Sequence, residues 1–497
     1  MLAVATWLTR LAFRSHYLYD IDSVNFALAL KRFDPAVHQP HPPGYFLYVC
    51  LGRLANDIFA DANTALVAIS IVFSCGTAAM IYILADHWFG RKAALFGGMI
   101  FLFSPLAWFH GTVALTYIVE AFFSTLVGYL CWRVQRGEAW FVLPAAVVLG
   151  IASGFRPSSI LFLGPLFLFS LRGADRKLVV GGVAGLALTM LAWFLPMIRV
   201  IGASAYFSAL ASLWLTVPAK VTVFNSPALN SFARAFVIGG IYFLFFGCAA
   251  VLPILRPRGA PSADRRKTLF TWCWIAPGLL FFTLVYLKFV NSGYLLILAP
   301  PVCAWMGLWA ANWYANPGPL KALKMLGIGG SVAMNTAIFL WAPVYCSYGE
   351  VRRFETELSS VIAALPQIAP ADGTMIVGLD SHFLGYRHAG YYLPGYLTVE
   401  FPEVQLASGK RVFAMRHQDT RLESSLDISA VRNFVIFPLP KGDREYSDYM
   451  VLLRKRFPAG DLHSIHRDGH EFVIGPVGDL PYLFPASTFF PDTAVSR

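Results

Sequence analysis

Charge is what this sequence has least of. Only 13% of its 497 residues are Asp, Glu, Lys or Arg, where a soluble globular protein carries about 25%. Acids are the scarcer sign, with 28 Asp and Glu against 39 Lys and Arg, for a net charge of +11. No CxxC and no Cys/His pairing occurs, although seven cysteines are present: Cys50, Cys75, Cys131, Cys248, Cys273, Cys303 and Cys346. Nearly all of them sit in apolar runs, which excludes a zinc knuckle or a disulfide framework and leaves small hydrophobes. From Cys346 onward there is no GxGxxG and no P-loop, so no chemistry is assigned to that region. No inverted repeat of the kind many transporters show is visible. No cleavable signal peptide is evident either. The run from Leu2 to Phe13 is interrupted by Arg10 and falls short of the roughly 20 apolar residues that span a bilayer. A start site placed late is the favoured reading of that short run.

What is present is apolar. The chain is 57% hydrophobic with a mean hydropathy of +0.59, the composition of a polytopic membrane protein. Runs of spanning length are expected at about 63–86, 93–110, 113–132, 139–155, 158–171, 178–199, 234–255, 268–287, 293–312 and 323–345. Basic residues fall in alternate short loops: Arg91 and Lys92; Arg133 and Arg136; Arg172, Arg176 and Lys177; Arg256 to Lys267; Lys321 and Lys324. These loops read as cytoplasmic. The positive charge is therefore a matter of topology, and nucleic-acid binding is not expected. The opening stretch, the 200–233 loop and everything after Tyr345 then lie on the other side. Residues 346–497 alternate helical and strand-like segments and read as a small extracytoplasmic α/β domain. Within it a helix is expected at 351–365 and another at about 444–457, among strand-like runs at 374–380, YLTVEF, RVFAM, NFVIFPL and EFVIG.

One stretch in the first half mixes polar and apolar residues at length: YDIDSVNFALALKRFDPAVHQPHPPGYFLYVCLGR, residues 19–53. Asp22-Ser23 sits where a helix N-cap belongs. Phe26, Leu30 and Phe33 follow at helical spacing, and Pro42-Pro43-Gly44 breaks the chain before a second helix from about Tyr45. The expectation is two amphipathic helices on a membrane surface with acids and imidazoles at their ends.

The ionisable groups of the outer side are the candidates for chemistry. Asp22, and less strongly Asp20, is placed to act as a general base at an interface; the plainer reading is helix capping. Glu120 lies about 10 Å inside the outer end of its helix at 1.5 Å per residue. An intramembrane acid is a functional candidate by default: it could orient an acceptor, carry a metal or pair with Arg156. The cations are His41, Arg156 and Lys288, with His38 and His110 behind them and Tyr294 as a hydroxyl donor. Each could simply snorkel to the interface; together they could hold a phosphate as charge develops on it. That combination reads as a membrane-embedded transferase using a lipid-phosphate donor. The alternatives are a transporter or flippase of a lipid-linked substrate, a transferase of another group such as phosphoethanolamine, or a scaffold with degenerate catalytic residues.

The pattern D-I-D-S-x-x-F-A-L-A-L, then H-Q-P-H-P-P-G-Y, then L-G-R-L resembles the first extracytoplasmic loop of GT-C fold glycosyltransferases. More narrowly it resembles bacterial relatives of protein O-mannosyltransferases and of the aminoarabinose transferases of lipid A. HGTVALTYIVEAF, SGFRPSS and KFVNSGYLLILAPP are similar to later membrane segments of the same relatives, so the resemblance runs from residue 1 to about 345. It implies a GT-C catalytic domain of about 10–11 spans over residues 1–345, in the inner membrane, with the 346–497 domain on the periplasmic side. The implied reaction is inverting transfer of a hexosyl or pentosyl group from a polyprenyl-phosphate-sugar donor to a lipid, glycan or protein acceptor. The loop aspartate of the family falls on Asp22, its basic residue on His41 and its next acid on Glu120. Some relatives have an acid just before the basic residue, where this sequence has Pro40. The resemblance therefore commits the chain to no metal site, and a divalent cation stays open as the cofactor.

Overall fold

The computed structural model describes residues 1–216, 218–253, 264–315, 321–379, 381–400, 403–405, 411–413, 416–417, 430–438 and 462–477. The chain forms two compact units. One comprises Met1–His16 with Pro42–Val351, and the other Tyr17–His41 with Arg352–Arg497. The change of composition at Cys346 does not reveal that the opening segment packs with the C-terminal residues.

The first unit is helical. Ala62–Phe89, Arg176–Ile201, Pro227–Phe246, Arg265–Leu284 and the run Phe289–Ala315 are long and apolar enough to cross a membrane. Shorter apolar helices occupy Leu2–Ala12, Ala139–Phe155, Ser158–Ser170, Ala203–Leu215 and Leu326–Trp341. Some of these helices begin where a side chain satisfies their first N–H groups. Asp61 accepts from Thr64 N at 2.7 Å and Asp175 from Leu178 N at 2.9 Å. The expected helix at 93–110 is in fact two, Arg91–Leu102 and Pro105–His110. Ser104 Oγ caps Ala107 N at 3.2 Å, and Pro105 has no N–H to continue the preceding helix. Helices approach closely where side chains vanish. A Cβ on Gly307 would stand 2.3 Å from Ala93 O and 2.6 Å from Gly97 N, so the Ala299–Ala315 and Arg91–Leu102 helices meet backbone to backbone. Cys50, Cys75, Cys131, Cys273, Cys303 and Cys346 are free thiols.

Among the described residues the second unit holds the helices Ile21–Lys31, Tyr348–Ile368 (from Arg352) and Tyr386–Tyr392 with eight strands. These are β1 Thr374–Gly378, β2 Leu397–Glu400, β3 Glu403–Gln405, β4 Arg411–Phe413, β5 Arg416–His417, β6 Asn433–Ile436, β7 His463–Arg467 and β8 His470–Pro476. The main sheet runs β5-β2-β1-β6-β8-β7, and β3 and β4 form a separate hairpin. β1 is parallel to β2 and β6, while β8 pairs antiparallel with β6 and β7. β1 is buried along its whole length, which is why TMIVG reads as a continuous apolar run and not an alternation. The helix expected at 444–457 lies outside the described residues.

Candidate active site

The opening loop is built into the second unit by its backbone and its rings. The Tyr19 ring meets Phe354 edge-on and Phe383 at a tilt, with ring centroids at 5.1 and 4.8 Å. Leu18 N donates to Tyr392 Oη at 2.8 Å, and Ile21 N donates to His382 O at 2.9 Å. At the far end Arg387 Nη2 donates to Val37 O at 2.8 Å. Between these anchors the Ile21–Lys31 helix is capped by Asp20, whose Oδ1 accepts from Asp22 N at 2.8 Å. The cap is therefore Asp20 and not the Asp22-Ser23 pair, because the chain is still extended at Asp20 and turns helical from Ile21. Asp22 is left in the first turn with its carboxylate outside the cap. That helix buries Ser23, Val24, Asn25, Phe26, Ala27 and Ala29, so it is wrapped on several sides.

The freed carboxylate meets an imidazole. Asp22 Oδ1 lies 3.1 Å from His41 Nδ1, with the two side chains 23% and 18% exposed. Asp20 is deeper, and its Oδ2 stands 3.8 Å from Nδ1 of His382. Burial and then the neighbouring Asp22 push the Asp20 carboxyl up to about 6, against the opposing pull of His382 and His41. Two neighbouring acids thus each have an imidazole beside them. His38 sits three residues before His41 in the left-handed position that ends the Pro35–Val37 turn. Among the described residues no three His, Cys, Asp or Glu side chains are grouped to hold a metal ion.

The first unit holds a second cluster. Glu120, in the first turn of the Tyr117–Gln135 helix, lies 2.9 Å from Arg156 Nε, with exposures of 1% and 4%. Ser158 and Ser159 donate to Glu120 Oε1 at 3.1 and 3.2 Å, and Arg156 Nη1 donates to Thr116 Oγ1 at 2.6 Å. The guanidinium carbon lies 4.4 Å from the ring centres of both Tyr117 and Tyr294 and 5.6 Å from that of Tyr45. Tyr117 Oη in turn accepts from Asn291 Nδ2 at 3.4 Å, and Tyr286 Oη donates to Asn291 Oδ1 at 2.8 Å. His110 is fully buried beside Tyr117, with ring centroids 4.9 Å apart, and neither of its nitrogens has a hydrogen bond among the described residues. A Cβ on Gly293 would fall 2.4 Å from Tyr117 Cγ and 2.7 Å from His110 Cε1. Only glycine lets the 289–298 turn lie against those rings. Lys288, just before that turn, is exposed. An apolar cavity of about 650 Å³ between the Arg91–Leu102, Ala299–Ala315 and Lys321–Trp341 helices contains none of these residues.

The expected residues thus fall into two groups: Asp20, Asp22, His38 and His41 in one unit, and Glu120, Arg156, Lys288 and Tyr294 in the other. The pairing of Glu120 with Arg156 is present. Tyr45, Tyr117 and Thr116 around Arg156, and His382 beside Asp20, are partners the sequence did not single out. Ser158 and Ser159 stand in the quoted GFRPSS, where a hydroxyl pair at the start of a helix was the available signal. For His382 nothing in the sequence marks the contact.

A multi-pass helical bundle with an acid-bearing first loop and a small sheet-containing unit is the GT-C architecture of membrane glycosyltransferases. The structure of ArnT from Cupriavidus metallidurans bound to undecaprenyl phosphate superposes with a TM-score of 0.53, covering 97% of both chains at 12% identity. The apo ArnT structure matches equally, with a TM-score of 0.53 over 97% of this chain and 96% of that one. At that identity the likeness is one of fold. At the level of families, residues 35–179 match the model of the protein O-mannosyl-transferase TMEM260 N-terminal domain. A nickel/cobalt efflux system, RcnA of Citrobacter koseri, is 25% identical over 105 residues, which is 21% of this chain. The chain spans about a third of that curated relative, 34% of its length.

Proposed function

We propose that the chain is a membrane glycosyltransferase that moves a sugar from a polyprenyl-phosphate donor to an acceptor hydroxyl outside the cytoplasm, with inversion. The observation that carries this reading is Asp22: a partly exposed carboxylate, 3.1 Å from His41 Nδ1, in the first loop of a chain with the GT-C fold. Asp22 is the general base. It takes the proton of the acceptor hydroxyl as that oxygen attacks the anomeric carbon and the bond from that carbon to the phosphate oxygen breaks. A positioned base of this kind contributes about 10²–10⁴-fold in rate. His41 and Lys288 stabilise the charge that develops on the departing phosphate, with His38 and Tyr294 as further donors. Arg156 is less free for that work, because it is ion-paired with Glu120 and donates to Thr116. Glu120 orients this arginine and, through it, the tyrosines around it. The reading puts the protein in the inner membrane, with its C-terminal unit on the periplasmic side and a lipid, glycan or protein as acceptor.

The direct test is mass spectrometry of surface glycans and glycolipids from cells with and without the gene, followed by purified protein with a panel of undecaprenyl-phosphate-linked sugars. A lost glycan mass, and sugar transfer that disappears in Asp22→Asn, are expected. Unchanged glycans, or full transfer by Asp22→Asn, reject the assignment. Loss of Lys288 should raise the KM for the donor more than that for the acceptor.

A further inference from the structure

We infer that His382, contributed by the C-terminal unit, is a positioning residue for the acid pair of the opening loop. This rests on the glycosyl-transfer reading for its purpose but not for its geometry. Residue 382 touches the Asp20–Asp22 turn twice. Its main-chain oxygen accepts from Ile21 N at 2.9 Å, and its imidazole Nδ1 stands 3.8 Å from Asp20 Oδ2. The other oxygen of Asp20 holds Asp22 N at 2.8 Å. One residue, some 360 positions away in the chain, therefore fixes both the backbone between the two acids and the carboxylate that caps the second. With the cap fixed, the Asp22 side chain is delivered to His41 at 3.1 Å. An acid that must both stay ionised and accept an amide needs a cation opposite it. Burial and Asp22 work against ionisation of Asp20, and His382 and His41 work for it.

Two charged groups of this unit have partners of their own. Arg387, on the following helix, donates to Tyr386 Oη and Val37 O. Glu355, on the Tyr348–Ile368 helix, pairs with Arg352. His382 is the more exposed member of its pair, with 44% of its side chain open to solvent.

The test is hydrogen exchange of the full-length protein in nanodiscs, read by mass spectrometry on peptides covering residues 17–26. Measurements run from pH 5 to 8 and are corrected for intrinsic exchange. Because the folded chain keeps Asp20 protonated up to about pH 6, wild-type protection should fall as pH rises through that value. In His382→Gln the midpoint should move up by about half a unit or more, as loss of a cation at that range predicts. In His382→Lys it should stay or move down, and in Asp20→Asn the pH dependence should vanish. An unchanged midpoint in His382→Gln overturns the inference. So does an equal loss of protection at every pH in both His382 variants, which is what a purely structural contact would give. The acid limb of kcat, measured with the undecaprenyl-phosphate-linked sugar panel, should move with the exchange midpoint while the donor KM holds. If Asp22→Asn keeps full transfer, the base assignment falls and the exchange data still judge His382.

Discussion

Glu120 survives in an apolar helix because its charge is answered from three sides: an arginine at 2.9 Å and two serine hydroxyls at 3.1 and 3.2 Å. Breaking a buried pair from one side strands the other charge, at a cost of about 3–5 kcal/mol. Glu120→Ala should lower the thermal midpoint in detergent accordingly, and the double variant Glu120→Leu with Arg156→Met should recover much of the loss. If the double variant melts as low as the single one, the stranded guanidinium is not the cause. Asp20 poses the opposite case. Its folded value of about 6 lies above the ordinary carboxylate value of 3.8, so between those limits the folded chain holds a proton that the unfolded chain has released. Stability therefore falls as pH rises through that window. Asp20→Asn should raise the melting temperature at pH 7.5 and lose most of that advantage by pH 4, while impairing transfer. The ionisable groups were legible one by one, because a charge in a greasy chain advertises itself. Of their partners, Arg156 was on offer for Glu120, whereas His382 reaches Asp20 only through tertiary folding.

Hydropathy located most helices to within a few residues, because a bilayer-length apolar run has few other uses. It failed where side-chain chemistry, and not apolarity, ends a helix. The 93–110 run is uniformly apolar apart from Ser104, and that residue with Pro105 breaks it. The Tyr386–Tyr392 helix and the β7 strand escaped notice for a related reason. YRHAGYY and HSIHR are polar-rich and short, and they are held by the rest of the sheet-containing unit. Contacts between helices were equally hidden, since a glycine gives no periodic signal. Gly307→Ala should force apart two backbones that meet at van der Waals distance, costing about 1–3 kcal/mol. Gly90→Ala offers a contrast: it lies at φ +84° with open space around its Cβ, so any loss there reports backbone strain without a clash. Thermal midpoints of the two variants separate these causes.

The resemblance, the fold match over 97% of both chains and the family model over residues 35–179 agree on one architecture. The chain nevertheless divides differently from its composition. Residues 17–41 belong to the compact unit that resumes at Arg352. A chain ending at Val351 should keep its helical circular dichroism while amide protection in 17–41 collapses; retained protection would mean the loop orders itself. The division also has a cost in time. A ribosome adding about 5–20 residues per second needs roughly 15–60 s to travel from His41 to Arg352. Throughout that interval the newly emerged loop waits without the tyrosine, histidine and arginine that will anchor it, while the whole helical bundle is being threaded into the bilayer. The acid pair is thus synthesised well before the residues that set it in place, so a half-made chain carries the acids without the scaffold that aims them.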